Sequence, residues 1–148
     1  MDELPGSVLF ACGHNAVRSP MAEGLMKYLL GTRVYVQSAG VRPGELDPFA
    51  VAVMDELGID IARHHPRSFE ELEDDYFDLV ISLAPEAQHR AVELTRATAT
   101  ELEFWNTPDP TLMDDCPREV RLDAYRAVRD QLLRRIRDRF PQPGSFGI

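Results

Sequence analysis

Cysteine and lysine are scarce in this sequence of 148 residues, and it contains no long hydrophobic run. Cys12 and Cys116 are the only cysteines, too few for a secreted disulfide framework or a structural zinc site, so we expect a cytoplasmic protein without a metal or other cofactor. No apolar stretch approaches the roughly 18 residues of a membrane-spanning helix, and Asp2 and Glu3 stand where a signal peptide carries basic residues. The sequence thus predicts a soluble protein that is not exported and has no membrane partner.

Positive charge is also in short supply. Lys27 is the only lysine, and 16 basic against 25 acidic side chains leave a net charge of −9. Binding to a nucleic-acid backbone needs clustered cations, so this balance argues against a nucleic-acid partner. The length suits one domain with its own core, which we place at 1–140, followed by a flexible tail at 141–148.

Strand and helix patterns alternate along the chain. Short apolar runs predict strands at 7–11, 34–38, 79–83 and 101–105, and helical spacing predicts helices at 19–30, 48–57, 85–95 and 117–140. Ser68 and Glu71 have the spacing of a capping box, and we expect Glu23 to complete another with Ser19. The order predicts an α/β fold of three layers, with a four-stranded, mostly parallel sheet and helices on both faces.

Ligands bind such sheets at the carboxyl ends of the strands, where one loop carries both a thiol and a guanidinium. The residues between Cys12 and Arg18 are Gly13, His14, Asn15, Ala16 and Val17. The N–H groups of a loop of this length can converge on a phosphate while the arginine binds two of its oxygens, and the same groups favour a nucleophilic thiolate. This predicts a phosphate-binding loop after the first strand. The alternative is an inert core cysteine beside a surface arginine.

A reaction through a cysteinyl intermediate also needs an acid and then a base. Asp109 is the candidate, because flanking prolines stiffen the loop after the last strand and hold its carboxylate at the edge of the sheet that carries Cys12. Asp114 and Asp115 are rivals that would also suit caps of the last helix. Asp109 itself could be an ordinary turn residue.

Together these residues resemble the low-molecular-weight protein tyrosine phosphatases and the related arsenate reductases. The resemblance rests on the run from Val8 to Glu23 and on later landmarks in order, at 38–40, 47–48, 58–60, 64–67, 78–80 and 108–110. It implies that Cys12 is the nucleophile, Arg18 the phosphate clamp and Asp109 the general acid. It places the substrate against residues 13–17 and Ser19.

The resemblance also implies a hydrogen-bonded support for the loop. Its members would be Asn15, Ser19, Ser38 and His64. Ser19 would stabilise the thiolate of Cys12 as a leaving group. Considered alone, Ser19 could be a helix cap, Ser38 a turn residue and His64 an exposed loop residue.

Several positions depart from the phosphatase pattern. Val17 stands where many phosphatases carry a second cysteine, and the run from His14 to Ala16 looks more like some reductases. Against a reductase, Pro20 replaces the usual glutamine, and the segment 82–94 lacks the two cysteines of the thioredoxin-coupled enzymes. Thr111 follows Asp109-Pro110 where an aromatic residue is common. Possible substitutes for that aromatic wall are Phe49, Trp105 and His14.

The sequence favours a cysteine-dependent phosphatase acting on phosphotyrosine proteins or small phosphomonoesters, with phosphate, sulfate, vanadate and arsenate as oxyanions for the loop. One alternative is an arsenate reductase in which Cys12 works with an external thiol such as glutathione or mycothiol. Another is a non-catalytic module that binds oxyanions or phosphotyrosine. Cys116 could reach Cys12 as a resolving thiol, or it could be a half-buried cysteine without a role.

Overall fold

The computed structural model describes residues 4–141, so the predicted tail beyond residue 141 lies outside the described residues. Its sheet has four parallel strands in the order β2-β1-β3-β4, with β1 at Ser7–Cys12, β2 at Tyr35–Gly40, β3 at Leu79–Ser82 and β4 at Glu101–Phe104. All three neighbouring pairs are parallel, which confirms the predicted sheet and makes it wholly parallel. The carboxyl ends of the strands therefore meet at one edge.

Four α-helices cover the two faces of the sheet: α1 at Arg18–Leu30, α2 at Pro48–Asp55, α3 at Pro85–Thr95 and α4 at Arg118–Arg139. The larger core lies between the sheet and the helices α1, α2 and α4, while a smaller core lies beneath α3. The predicted three-layer α/β fold is confirmed. No helix among residues 4–141 is both long and apolar enough to cross a membrane.

The central strand β1 shows why the chain folds in this way. Its residues alternate between the two cores, with Val8 and Phe10 in the larger one and Leu9 and Ala11 in the smaller one, and none of them is exposed. A strand buried on both faces reads as a continuous apolar run and stabilises both layers at once. Burial of a side chain such as Phe10 or Leu9 contributes about 1.5–3 kcal/mol. The loop that follows β1 is therefore anchored at its start by a strand that is packed on both faces.

Two predicted capping features are wrong, and one is right. Helix α1 starts at Arg18 with no side-chain cap, so Ser19 lies within its first turn and Glu23 forms no capping box with it. Asp114 and Asp115 do not cap α4, which starts at Arg118 after Pro117. The capping box of Ser68 and Glu71 is present and opens a 3₁₀ turn at Phe69–Glu71. Ser19 and Glu23 are instead held by contacts with other elements.

Candidate functional site

The loop between β1 and α1 is bound along its carbonyl groups to the loop between β2 and α2. Carbonyl oxygens of residues 12, 13, 14 and 16 accept hydrogen bonds from the N–H groups of residues 41, 42, 44 and 47, at 2.9–3.2 Å. Gly40 permits this approach, because a Cβ atom there would lie 2.7 Å from the backbone nitrogen of Asn15. Among the hydrogen bonds found within residues 4–141, none is donated by an N–H group of residues 13–17. These backbone N–H groups are therefore available to bind a ligand.

The side chain of Asn15 holds the loop between β1 and α1 in place through contacts with four other residues. It is fully buried and adopts a φ of 53°, in the left-handed region that asparagine tolerates better than most residues. Its Nδ2 donates to the Oγ atoms of Ser19 at 2.8 Å and Ser38 at 2.9 Å. Its Oδ1 accepts from the N–H of Arg67 at 2.9 Å and lies 3.0 Å from Nε2 of His64. The structure thus brings together the four residues that the resemblance implied as a support.

Glu23 extends this support and was not among the predicted site residues. Its Oε1 accepts a hydrogen bond from Oγ of Ser38 at 2.5 Å and lies 3.8 Å from Nδ1 of His64, while Oε2 binds Nζ of Lys27 at 2.5 Å. Burial lowers the pKa of His64 below its ordinary 6.5, an effect that the charge of Glu23 opposes. Its position four residues after Ser19 suggested only a helix cap, because the sequence does not show which strand faces it.

The residues that carry the predicted thiol and guanidinium, Cys12 and Arg18, line the same cleft. Cys12 is 2% exposed, and its Sγ lies 2.9 Å from Oγ of Ser19. Arg18 is 6% exposed and donates from Nη1 to the carbonyl oxygen of Thr107 at 3.2 Å. The short contact between sulfur and hydroxyl fits the implied role of Ser19 as a donor to a thiolate.

Two carboxylates face Arg18. Oε1 of Glu86 lies 3.0 Å from Nη2, and Oδ2 of Asp109 lies 3.9 Å from the same nitrogen. Glu86, in the first turn of α3, belongs to no motif in the sequence, and only its place just after a strand pointed toward the site. Gly13 makes room for it, because a Cβ atom at this position would lie 2.7 Å from Oε1 of Glu86.

Asp109 is held in a defined orientation. Its Oδ1 accepts hydrogen bonds from the N–H of Thr111 at 3.0 Å and from Oγ1 of the same residue at 2.6 Å. This leaves Oδ2 on the side of Arg18, and about a third of the side chain is exposed. Its rivals Asp114 and Asp115 do not line the cleft. Thr111, the residue that breaks the aromatic pattern, is therefore the partner that fixes the carboxylate.

The cleft above Cys12 has a volume of about 450 Å³. Its walls come from the first loop, from the β2–α2 loop, from the Asp109 loop and from α4. The lining residues include His14, Arg18, Glu45, Phe49, Asp109 and Arg121. Phe49 and His14 are thus placed as wall residues, but Trp105 is not, because it is buried against Phe10 and Phe140.

The far wall of the cleft is braced by a tyrosine. Oη of Tyr125 donates to Oδ2 of Asp47 at 2.5 Å, and burial together with this carboxylate raises the pKa of Tyr125. The N–H of Phe49 donates to Oδ1 of Asp47 at 2.8 Å, which begins α2. Tyr125 of α4 therefore holds Asp47 at the end of the β2–α2 loop, next to Phe49 in the cleft wall.

Cys116 is not part of this cleft. Both cysteines are free, and Cys116 is half-buried with its Sγ 3.8 Å from Oδ1 of Asp115. No group of histidine, cysteine, aspartate or glutamate side chains suited to a metal ion was found in the described portion of the chain. The site is built from a thiol, a guanidinium, a carboxylate and backbone N–H groups.

A parallel α/β sheet whose first strand ends in a thiol-bearing loop, with an arginine opening the next helix, defines a class of oxyanion-handling proteins. A family model described as low molecular weight phosphotyrosine protein phosphatase matches residues 7–140. The chain belongs to this family, as its sequence predicted.

The proteins and solved structures that this chain resembles include both arsenate reductases and tyrosine phosphatases. A glutaredoxin arsenate reductase of Synechocystis is 33% identical over 129 residues, which cover 87% of this chain and 92% of that protein. A solved structure described as an arsenate reductase in the phosphate binding state matches with a TM-score of 0.69 and 32% identity, over 89% of this chain and 94% of that one. A tyrosine phosphatase of Erwinia amylovora has the same fold, with a TM-score of 0.69 and 22% identity over 88% of each chain.

Proposed function

We propose that this protein is an arsenate reductase that uses Cys12 together with an external thiol. The observation that carries the proposal is the buried thiol of Cys12, which lies 2.9 Å from Oγ of Ser19 in a cleft that Arg18 also lines. The likeness to arsenate reductases at 32–33% identity supports arsenate as the substrate rather than the phosphoester that the sequence favoured. This was the alternative interpretation of the sequence.

In the first step the thiolate of Cys12 attacks the arsenic of hydrogen arsenate. A sulfur–arsenic bond forms, an arsenic–oxygen bond breaks, and the leaving oxygen takes a proton from Asp109 and departs as water. Arg18 and the N–H groups of residues 13–17 bind the remaining oxygens, where charge accumulates in the transition state. The product is an S-arsenated cysteine that still contains arsenic(V).

The second step needs a thiol from outside the chain. Cys116 is the only other thiol, and it does not line the cleft. Cys12 is 2% exposed, so its sulfur offers no free side for in-line attack, whereas arsenic bound above it faces the open cleft. The external thiol therefore attacks arsenic, gives its proton to Asp109 and releases Cys12 as thiolate. A second thiol then attacks the sulfur of the first. A sulfur–sulfur bond forms, the sulfur–arsenic bond breaks, and arsenic leaves with the electron pair of that bond as arsenite, one oxygen of which takes the proton of the second thiol.

The test measures arsenite formed from arsenate and glutathione, with and without a glutaredoxin. We expect turnover by the wild type and by Cys116→Ser, and none by Cys12→Ser. Arsenite production that requires Cys116 would overturn the external-thiol step. A folded wild type that forms no arsenite with glutathione or mycothiol, alone or with glutaredoxin, would overturn the reductase.

A second candidate function is the phosphatase, and Asp109 is the observation that favours it. A carboxylate fixed by Thr111 and facing the cleft is also what protonation of an alkoxide or phenoxide leaving group requires. Chelator-resistant hydrolysis of p-nitrophenyl phosphate that is lost in Cys12→Ser would support this function. Asp109→Ala should then slow esters with poor leaving groups more than those with good ones. Phosphate binding without any turnover would leave a non-catalytic oxyanion-binding module.

A further inference from the structure

The cleft is larger than an arsenate ion requires. A volume of about 450 Å³ lies in the range of small-molecule pockets, about 300–1,000 Å³, whereas arsenate has only five heavy atoms. Phe49 and Arg121 line this cleft, whereas the four support residues behind the loop do not. A second substrate can therefore share the cleft with the oxyanion.

Arg121 is presented on this wall by an aromatic ring. Its guanidinium carbon lies 4.4 Å from the ring centroid of Phe49, and Arg118 stacks on the same ring at 5.3 Å. The ring is itself fixed, because Tyr125 packs edge-on against it with the centroids 5.4 Å apart. Stacking holds a guanidinium by its face and leaves the N–H groups on its edge available to a ligand.

The charge of Arg121 is not neutralised by an ion pair with any residue that the structure describes. Within residues 4–141, neither Arg121 nor Arg118 lies within 4 Å of a carboxylate oxygen. The nearby carboxylate of Asp47 is engaged by Tyr125 and by the N–H of Phe49. Arg121 lines the cleft and Arg118 does not, so of these two cations it is Arg121 that is placed to contact a molecule in the cleft.

We propose that Arg121, stacked on Phe49, binds a carboxylate of the external thiol and makes this thiol an acidic amino-acid or peptide thiol. The proposal rests on the reductase function and names its second substrate by chemical class. Glu45 is exposed and lines the same cleft, so it offers a partner for the ammonium group of such a thiol. A thiol without charged groups would gain nothing from either residue.

The experiment compares Arg121→Gln with Arg118→Gln, which removes the same charge from the same ring outside the cleft. Arsenite formation is measured with glutathione, which carries two carboxylates and an ammonium group, and with 2-mercaptoethanol, which carries none. We expect Arg121→Gln to lower the ratio of kcat/KM for glutathione over 2-mercaptoethanol about three- to fivefold, as for a partly screened ion pair. Arg118→Gln should leave this ratio within about twofold. A ratio that does not fall in Arg121→Gln, or that falls equally in both variants, would overturn the proposal.

A binding measurement separates this proposal from the reductase itself. S-Methylglutathione, which has no reactive thiol, is titrated into the labelled protein in the presence of phosphate while backbone amide signals are followed. We expect shifts at Phe49, Thr111 and Arg121 in the wild type and in Arg118→Gln, with binding weakened in Arg121→Gln. Binding without arsenite production would reject the reductase and keep the subsite. No binding at the cleft would reject the subsite even where arsenite is formed.

Discussion

Oε1 of Glu86 lies 3.0 Å from Nη2 of Arg18, so a carboxylate holds the guanidinium that is proposed to bind the oxyanion. Arg18 is buried while half of the Glu86 side chain is exposed, so the pair lies at the boundary between the cleft floor and solvent. The same nitrogen is 3.9 Å from Oδ2 of Asp109. Any dianion that enters must compete with the carboxylate of Glu86 for this arginine.

We predict that Glu86→Gln binds phosphate and arsenate more tightly, about three- to tenfold at low salt. The amide keeps the size of the side chain and removes the competing charge, an effect of about 1 kcal/mol for a partly screened pair. Calorimetric titration with phosphate at constant ionic strength measures the change. Glu93→Gln, on the same helix but paired with His89 and Arg90, should bind phosphate like the wild type. Weaker binding in Glu86→Gln would show that Glu86 serves to position Arg18.

We predict that Cys12→Ser loses at least about a thousandfold in turnover and still binds phosphate or vanadate. The hydroxyl is a far weaker nucleophile, while Arg18 and the loop N–H groups remain in place. Initial rates and a phosphate titration on the same preparation give both values. Turnover close to that of the wild type would refute the role of Cys12.

The support behind the loop predicts a difference between two variants of Asn15. Asn15→Ala loses two buried and two partly buried hydrogen-bonding contacts and puts alanine, which tolerates the left-handed region less well than asparagine, at a φ of 53°. We expect this to cost about 2–4 kcal/mol. Asn15→Gly loses the same contacts without the left-handed penalty and should be about 1 kcal/mol more stable than the alanine variant. In a chain of this size that separates the two melting temperatures by about 2–4 °C. Equal melting temperatures would show that the backbone at residue 15 relaxes.

Stability should fall as the pH drops below about 6.5, partly through His64. Because burial lowers its pKa in the folded state, the unfolded chain binds the proton first as the pH decreases. The contribution is complete above the unfolded value of 6.5 and is lost progressively as the pH falls toward the lower folded value. Urea unfolding at pH 5.5 and 7.5 should show a smaller pH-dependent loss for His64→Gln than for the wild type. The exposed His65→Gln should keep the wild-type loss, and an unchanged loss in His64→Gln would contradict the assignment.

Much of this fold could be predicted because its signals are local. An apolar run such as Leu79–Ser82 is readily predicted as a strand when segments with helical periodicity flank it. Helix α3, at Pro85–Thr95, has the bounds that the sequence predicted. The start of α1 was predicted wrongly because Ser19 has the residue type of a helix cap. Its hydroxyl is instead occupied by Cys12 and Asn15, which tertiary structure brings to it.

The parts of the site that escaped prediction depend on distant contacts. Glu86, Glu23 and Arg121 are helical residues whose role in the site the sequence did not reveal: Glu23 was interpreted only as a helix cap, and Glu86 and Arg121 belong to no motif. They join the site because α3, α1 and α4 pack on a sheet whose strand order is not sequential. Cys12, Arg18 and Asp109 could be predicted because loop chemistry and strand ends mark them together.

The backbone hydrogen bonds between residues 12–16 and residues 41–47 have a consequence for protein engineering. The two segments form one structural module, since four carbonyl groups of the first accept hydrogen bonds from N–H groups of the second. Transplanting the thiol loop alone into a related scaffold would leave those carbonyls facing a foreign partner. A successful graft must carry both segments, with Gly40 at their crossing point.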